Sequence, residues 1–136
     1  SLQRAVHQTN KTKPSILHVE DDLQLVEITR HVLEGCASIT NVTTLAEARE
    51  KLGQSEFDLV LLDLVLPDGN GEQLLNDLDR GQEAPIPVVI FSNRESLEHA
   101  ASNIKAEFIK SQTSHDVLLA AICKAVENNR SVKSME

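Results

Sequence analysis

The chain has 136 residues, 40% of them hydrophobic, and a formal net charge of −8. That length supports one domain with its own core but not two, and the acidic balance argues against a nucleic-acid or anionic-membrane surface. Three Phe with no Trp or Tyr argue against a base-stacking platform, and no apolar run approaches the roughly 18 residues that a membrane span requires.

The opening SLQRAVHQTNKTKP is polar and lacks sustained periodicity, so 1–13 read as a linker or tag remnant with no apolar leader. "SILHV" (15–19) then reads as a strand. Leu25, Ile28, Val32 and Leu33 follow at helical spacing, with Gly35 as a stop. "ASITNV" is a second strand, and Leu45, Ala48 and Leu52 mark a second helix ending at Gly53. "FDLVLL" (57–62) is apolar at nearly every position, as expected of a strand covered on both faces. Leu74, Leu75 and Leu78 carry a third helix. "IPVVIF" is a fourth strand, followed by a short helix around 96–102. "EFIK" is a fifth strand, and Val117, Leu118, Ala121, Ile122, Ala125 and Val126 stripe a last helix. The domain is expected over 14–129, with 130–136 as a solvated tail.

Five β-α pairs in succession predict an α/β fold with a parallel sheet and helices on both faces, because parallel strands need right-handed crossovers. In such sheets the functional site lies at the carboxyl ends of the strands. The residues there are Glu20, Asp21 and Asp22 after strand one, Asp63 after strand three, Ser92 after strand four and Lys110 after strand five. Several carboxylates in one pocket repel one another unless a positive charge lies among them. A hard divalent cation such as Mg²⁺, held by carboxylate and carbonyl oxygens, would supply it. A carboxylate, a cation, a lysine and a hydroxyl are the components of a phosphoryl-transfer site.

Other reactive side chains read as structural. Cys36 and Cys123 lack metal-ligand spacing and are expected to be buried free thiols in a reducing compartment. His18 lies inside the first strand and reads as a packed core histidine, whereas His31, His99 and His115 read as surface residues. For Asp63 itself the plain alternative is a structural carboxylate paired with Lys110. Ser92 could merely cap the next helix, and Lys110 could be a solvated strand end.

The motifs "ILHVEDD", "LLDLVLPDGNG", "VVIFS" and "FIKS", in this order and at these intervals, resemble the receiver domains of two-component response regulators and hybrid sensor histidine kinases. The resemblance runs from about Pro14 to Asn128. It implies a flavodoxin-like (βα)5 three-layer sandwich whose five-stranded parallel sheet has the order 2-1-3-4-5. It also implies that Asp63 is the phosphoacceptor and that Glu20 and Asp21 are the acidic pair for Mg²⁺. Asp63 and the Val65 backbone carbonyl would complete the protein's share of that shell, with Glu20 acting largely through water. Ser92 and Lys110 match the hydroxyl and the lysine that follow the phosphoryl group. Asp22 is left to cap the first helix, and Pro67, Gly69 and Gly71 match the turn that leads into helix three. The implied partner is a histidine kinase or a histidine phosphotransfer domain, with no nucleic-acid or membrane contact by this domain and room for a weak homodimer. The implied compartment is the cytoplasm, the parent chain being free to be membrane-anchored. "ILHVEDD" with "KSQTS" looks more like receivers fused to sensor kinases than like those joined to DNA-binding modules. A stand-alone regulator, or one separated from its effector, is the second expectation.

The chain departs from the family pattern in several places. Ser111 stands where many receivers have proline after the lysine, which puts the family's cis peptide in doubt. Glu107 lies where an aromatic switch residue often lies, with Phe108 one place off. The Ser92-to-Lys110 interval is short, which should shorten helix four and weaken output through it. Asn93 replaces a small residue and could contact the phosphoryl group. Val65 and Arg94 occupy positions that tune water attack, so slow autodephosphorylation is expected. Two rival classes fit less well. An aspartyl phosphatase of the haloacid-dehalogenase type wants a second Asp where Val65 stands. A nucleotide binder wants a Gly-rich or Ser/Thr-rich loop where "VEDDLQ" would repel phosphate. A degenerate receiver used only for docking is opposed by the full set of chemical positions.

Overall fold

The computed structural model describes residues 13–79, 86–94 and 104–134. Its elements in chain order are β1 (Ser15–Val19), α1 (Leu23–Val32), β2 (Ser38–Val42), α2 (Leu45–Gln54), β3 (Leu59–Leu62), β4 (Val65–Leu66), β5 (Gly69–Asn70), α3 (Glu72–Asp79), β6 (Val88–Ser92), β7 (Ile104–Ile109), a 3-10 turn (Lys110–Gln112) and α4 (His115–Ser134). The helix expected around 96–102 lies outside the described residues. Five strands form one parallel sheet in the order β2-β1-β3-β6-β7, and β4 and β5 form a separate two-residue hairpin. Once the hairpin strands are set aside, this is the expected 2-1-3-4-5 order of a flavodoxin-like α/β sandwich.

Alternation along the strands divides the core in two. Leu17, Val19, Val60, Leu62, Val88 and Ile90 pack with Leu45 and Ala48 of α2 and Leu74, Leu75 and Leu78 of α3. Ile16, Leu59, Leu61, Val89 and Phe91 face the other way and pack with Leu33, next to α1, and with Leu118, Ile122 and Val126 of α4. β3 and β6 are buried at every position because both faces are covered, while the edge strands β2 and β7 are only partly so.

Local signals set the boundaries. Asp22 caps α1 as expected, its carboxylate accepting from Gln24 N and Leu25 N. Gly35 adopts φ +85°, the left-handed turn that ends this helix region. α2 runs one residue past Gly53 to Gln54, with Ser55 at its C-cap. α4 continues to Ser134, beyond the boundary expected at 129. In β7 the pairing with β6 slips between Val88 and Val89, so Ile104 packs on the α2/α3 side whereas Ala106 and Phe108 pack on the α1/α4 side. Phe108 is therefore a partly buried side chain packed against the core, and the neighbouring Glu107 pairs across from Ile90.

The cysteines correct the expectation of burial. Cys36 is exposed because the tight turn at Gly35 carries it outward, and Cys123 is only partly buried; both thiols are free. They line one apolar cavity of about 310 Å³ with Leu33 and Ile122, among others. His31 is exposed, as expected, but His115 is half-buried and its Nε2 is shielded from solvent. His99 lies outside the described residues.

Candidate functional site

The strand ends place their polar residues by continuing the backbone ladders. Asp63 N–H donates to Val19 O at 3.0 Å and Glu20 N–H to Val42 O at 2.9 Å, so both residues remain in register after their strands stop. Asn41, in edge strand β2, places its Nδ2 3.1 Å from the carbonyls of His18, Glu20 and Val42 and so fastens the end of β1. Nothing in the sequence reading singled out this residue, although an Asn interrupting an apolar strand is a usable signal.

Asp63 is 5% exposed, and its carboxylate is fully engaged. Oδ1 accepts from Ser92 Oγ at 2.7 Å and from Val65 N at 3.2 Å, and Oδ2 accepts from Lys110 Nζ at 3.0 Å. Ser92 Oγ also accepts from Leu64 N and Arg94 N, both at 3.3 Å. The hydroxyl therefore belongs to the Asp63 pocket rather than to a helix cap alone. Lys110 Nζ lies 2.7 Å from Glu20 Oε1, a contact of charges without an aligned hydrogen bond. Glu20 Oε2 accepts from Asp22 N at 3.1 Å. Lys110 thus joins two buried carboxylates, which an isolated strand-end lysine would not do.

The electrostatics follow from burial. Removal from water pushes the Glu20 carboxyl up to about 7, helped by the negative charge of Asp63 and opposed by Lys110. Burial pulls the Lys110 ammonium down, but its paired Glu20 and Asp63 carboxylates outweigh that and hold it above the ordinary lysine range. His18 lies beneath the pocket in β1. Burial lowers it to about 4, assisted by the Lys110 charge, so it is a neutral core imidazole near pH 7.

One carboxylate oxygen each from Glu20, Asp21 and Asp63 lie within 4.8 Å of one another. Asp21 is exposed and the other two are buried, which makes an all-oxygen donor set open on one side. This is the donor chemistry that suits a hard divalent cation.

The β4–β5 hairpin roofs this corner. Gly71 N–H donates to Leu64 O at 2.8 Å, and a Cβ on Gly71 would collide with the Asp63 carbonyl oxygen and Leu64 Cα. The glycine is needed for close backbone approach more than for bending. Asp68, in the same hairpin, reaches back to cap α2 through Leu45 N and Ala46 N, and these bonds lower its carboxyl below the usual range. Glu72 at the start of α3 pairs with Arg94 at 3.2 Å and accepts from Asn70 Nδ2. Asn93 uses its Oδ1 to accept from Ser111 N at 2.9 Å. Val65 is 56% exposed beside the pocket, and its side chain has no polar group to offer. Every peptide bond among the described residues is trans, including the one after Lys110.

The response regulator receiver domain model matches residues 16–122. The chain belongs to this family. Curated relatives of the receiver include the swarming motility regulation protein RssB of Serratia marcescens, 39% identical over 92 residues (66% of this chain, 41% of the relative). The transcriptional regulatory protein CiaR of Streptococcus pneumoniae is 39% identical over 83 residues (61% and 37%). The chain thus spans about two fifths of the length of these relatives. Among solved structures, the signal receiver domain of a Luxo repressor protein from Vibrio parahaemolyticus has a TM-score of 0.81 at 23% identity, covering 91% of this receiver and 98% of that chain. A sensor protein from Polaromonas sp. JS666 has a TM-score of 0.72 at 23% identity, covering 86% and 98%. At these identities the structural likeness establishes the fold. No helix among the described residues is long and apolar enough to cross a membrane.

Proposed function

We propose that this receiver accepts a phosphoryl group on Asp63 from a phosphohistidine of a histidine kinase or histidine phosphotransfer domain. The observation that carries the reading is the convergence on one carboxylate of Ser92 Oγ, Lys110 Nζ and the backbone N–H of Val65, beside the Glu20–Asp21 pair. A structural carboxylate needs an ion pair, but it does not need a hydroxyl on one oxygen, a lysine shared with a second acid and an exposed third acid at its edge.

In the reaction an Asp63 oxygen attacks phosphorus as the P–N bond to the donor imidazole breaks. The Lys110 ammonium and the Ser92 hydroxyl, which bond Asp63 before reaction, turn to the equatorial phosphoryl oxygens and hold their charge. Glu20, Asp21, Asp63 and the Val65 carbonyl would hold Mg²⁺, which when bound neutralises charge between the carboxylates and the incoming phosphoryl group. The fit rests on the three converging oxygens and on Glu20 Oε1, which has a charge contact but no aligned hydrogen bond.

Hydrolysis of the phosphoaspartate is slow in this reading. Val65 cannot orient water, Arg94 is engaged by Glu72, and the side-chain Oδ1 of Asn93 is engaged by the Ser111 N–H. A phosphoryl lifetime of minutes or longer is expected, and a half-life of seconds or less would contradict it.

For the parent chain two readings have support. The "ILHVEDD" and "KSQTS" motifs favour a hybrid sensor kinase, and the names of several curated relatives, CiaR among them, favour a transcriptional regulator. In either setting the phosphoacceptor role is the same, and the domain works in the cytoplasm. The test is titration with beryllofluoride and Mg²⁺, followed by amide NMR. Mg²⁺ alone is expected to shift amides near Glu20, Asp21 and Asp63, and further shifts at Ser92 and Lys110 are expected only when beryllofluoride is also present. An unchanged spectrum, or the same shifts in Asp63→Asn, would overturn the reading.

A further inference from the structure

The sequence departs from the family pattern at two neighbouring points, Asn93 after the pocket hydroxyl and Ser111 after the pocket lysine, and the structure pairs them with each other. β6 and β7 remain in register to their last residues, Ser92 opposite Ile109. The ladder ends there, and Lys110 opens a single 3-10 turn. The first amides of such a turn have no partner within it and need an acceptor from outside. Ile109, in the capping position, supplies no side-chain hydrogen bond. Asn93 supplies the acceptor from the neighbouring strand end, its Oδ1 lying 2.9 Å from Ser111 N. Thr113 closes the same turn from the far side, donating its hydroxyl to Ile109 O at 2.7 Å.

We infer that the Asn93–Ser111 bond is a latch that fixes the turn bearing Lys110 against the strand end bearing Ser92, and that it sets the rate of phosphoryl uptake without touching the phosphoryl group. The inference rests on the proposed phosphoacceptor role of Asp63 and adds a positioning role for two residues outside the chemistry. Asn93 is one residue from Ser92 and Ser111 one residue from Lys110, and these two neighbours hold opposite oxygens of Asp63. A proline at 111 has no N–H, so the usual lysine-proline pattern cannot make this bond. An asparagine at 93 and a non-proline at 111 therefore form one device. The bond is exposed to solvent, so its contribution to overall stability is small, and its effect lies in where Lys110 rests.

The test has two parts on the 136-residue chain. Amide hydrogen exchange reads the latch itself: Ser111 N–H is protected in the parent chain and in Ser111→Ala, and it loses protection in Asn93→Ala. Fast Ser111 exchange in the parent would overturn the latch whatever the function. Uptake from acetyl phosphate at saturating donor and Mg²⁺ then reads the positioning. Asn93→Ala and Ser111→Pro are each expected to slow uptake, Asn93→Ala on the order of threefold. Adding Asn93→Ala to Ser111→Pro makes no further difference, because the bond is already gone. Ser111→Ala, which keeps the amide, stays within about twofold of the parent. Parent-like uptake in Asn93→Ala, or single effects that multiply in the double variant, would overturn the positioning role while leaving the phosphoacceptor reading intact. A parent chain that takes up no phosphoryl group at all would overturn both.

Discussion

On the β1–β3 side of the pocket the backbone carries the site. Glu20 and Asp63 leave their strands with amides still bonded to Val42 and Val19, and Asn41 ties down the carbonyls behind them. On the β6–β7 side the ladder stops at Ser92 and Ile109, and side chains take over: Asn93 holds Ser111, and Thr113 holds Ile109. The acidic half is thus fixed by the same hydrogen bonds that make the sheet, whereas the hydroxyl-lysine half is fixed by contacts that single substitutions can remove. Lys110 bridges the two halves through Asp63 and Glu20.

Breaking that bridge should have the largest effect. Lys110→Ala leaves the buried Asp63 carboxylate without its cation, beside a Glu20 that is driven further toward its protonated form, a cost on the order of 3 kcal/mol in urea unfolding near neutral pH. Added Mg²⁺ should recover part of the loss, because it replaces the missing positive charge. A variant as stable as the parent without metal would mean that the halves do not depend on each other electrostatically.

Gly71→Ala attacks the backbone-built half from above. The new methyl meets the Asp63 carbonyl and Leu64 Cα, backbone atoms that cannot swing aside, and a loss of about 2 kcal/mol is expected. A neutral substitution in thermal or urea unfolding would show that the hairpin is not pressed against the site. Asn41→Ala tests the same half from the side. It removes an NH₂ group whose two hydrogens are shared among three carbonyls, and about 1 kcal/mol should be lost.

The smallest effect is a slope with pH. Glu20 is raised from 4.5 to about 7 in the folded protein, so between those values the native state keeps a proton that the unfolded chain has released. Stability from this group is complete below 4.5 and is lost as pH rises through about 7. His18, lowered from 6.5 to about 4, acts with the opposite sign, and its contribution is lost as pH falls through that range. Urea midpoints at several pH values for the parent and Glu20→Gln separate the two. The variant should lack the decline toward pH 7 and retain the acid-side loss. Parallel profiles would contradict the raised Glu20.

Much of this was legible in the sequence, for identifiable reasons. Apolar runs ending in a polar residue gave β1, β3 and β6 together with Glu20, Asp63 and Ser92, since a strand covered on both faces must be apolar until it emerges. Asp22 was readable as a cap by its place before Leu23. The contacts that organise the β6–β7 side were not legible. Asn93 accepts from a backbone amide, and an amide carries no side-chain signature, so its partner at 111 could be named only from coordinates. Gly71 was placed in a turn correctly but for an incomplete reason, because the close approach to Asp63 depends on how the hairpin folds back. Cys36 reads as buried in the sequence but is exposed, because a sequence pattern does not show that the left-handed Gly35 turns the next residue outward.

The central claim concerns Asp63, and the most direct measurement is intact and peptide mass after incubation with acetyl phosphate, with and without Mg²⁺. One phosphoryl group on the peptide containing Asp63, dependent on Mg²⁺ and absent from Asp63→Asn, is the predicted result. An unmodified parent chain, or a variant modified to the same extent, would contradict it.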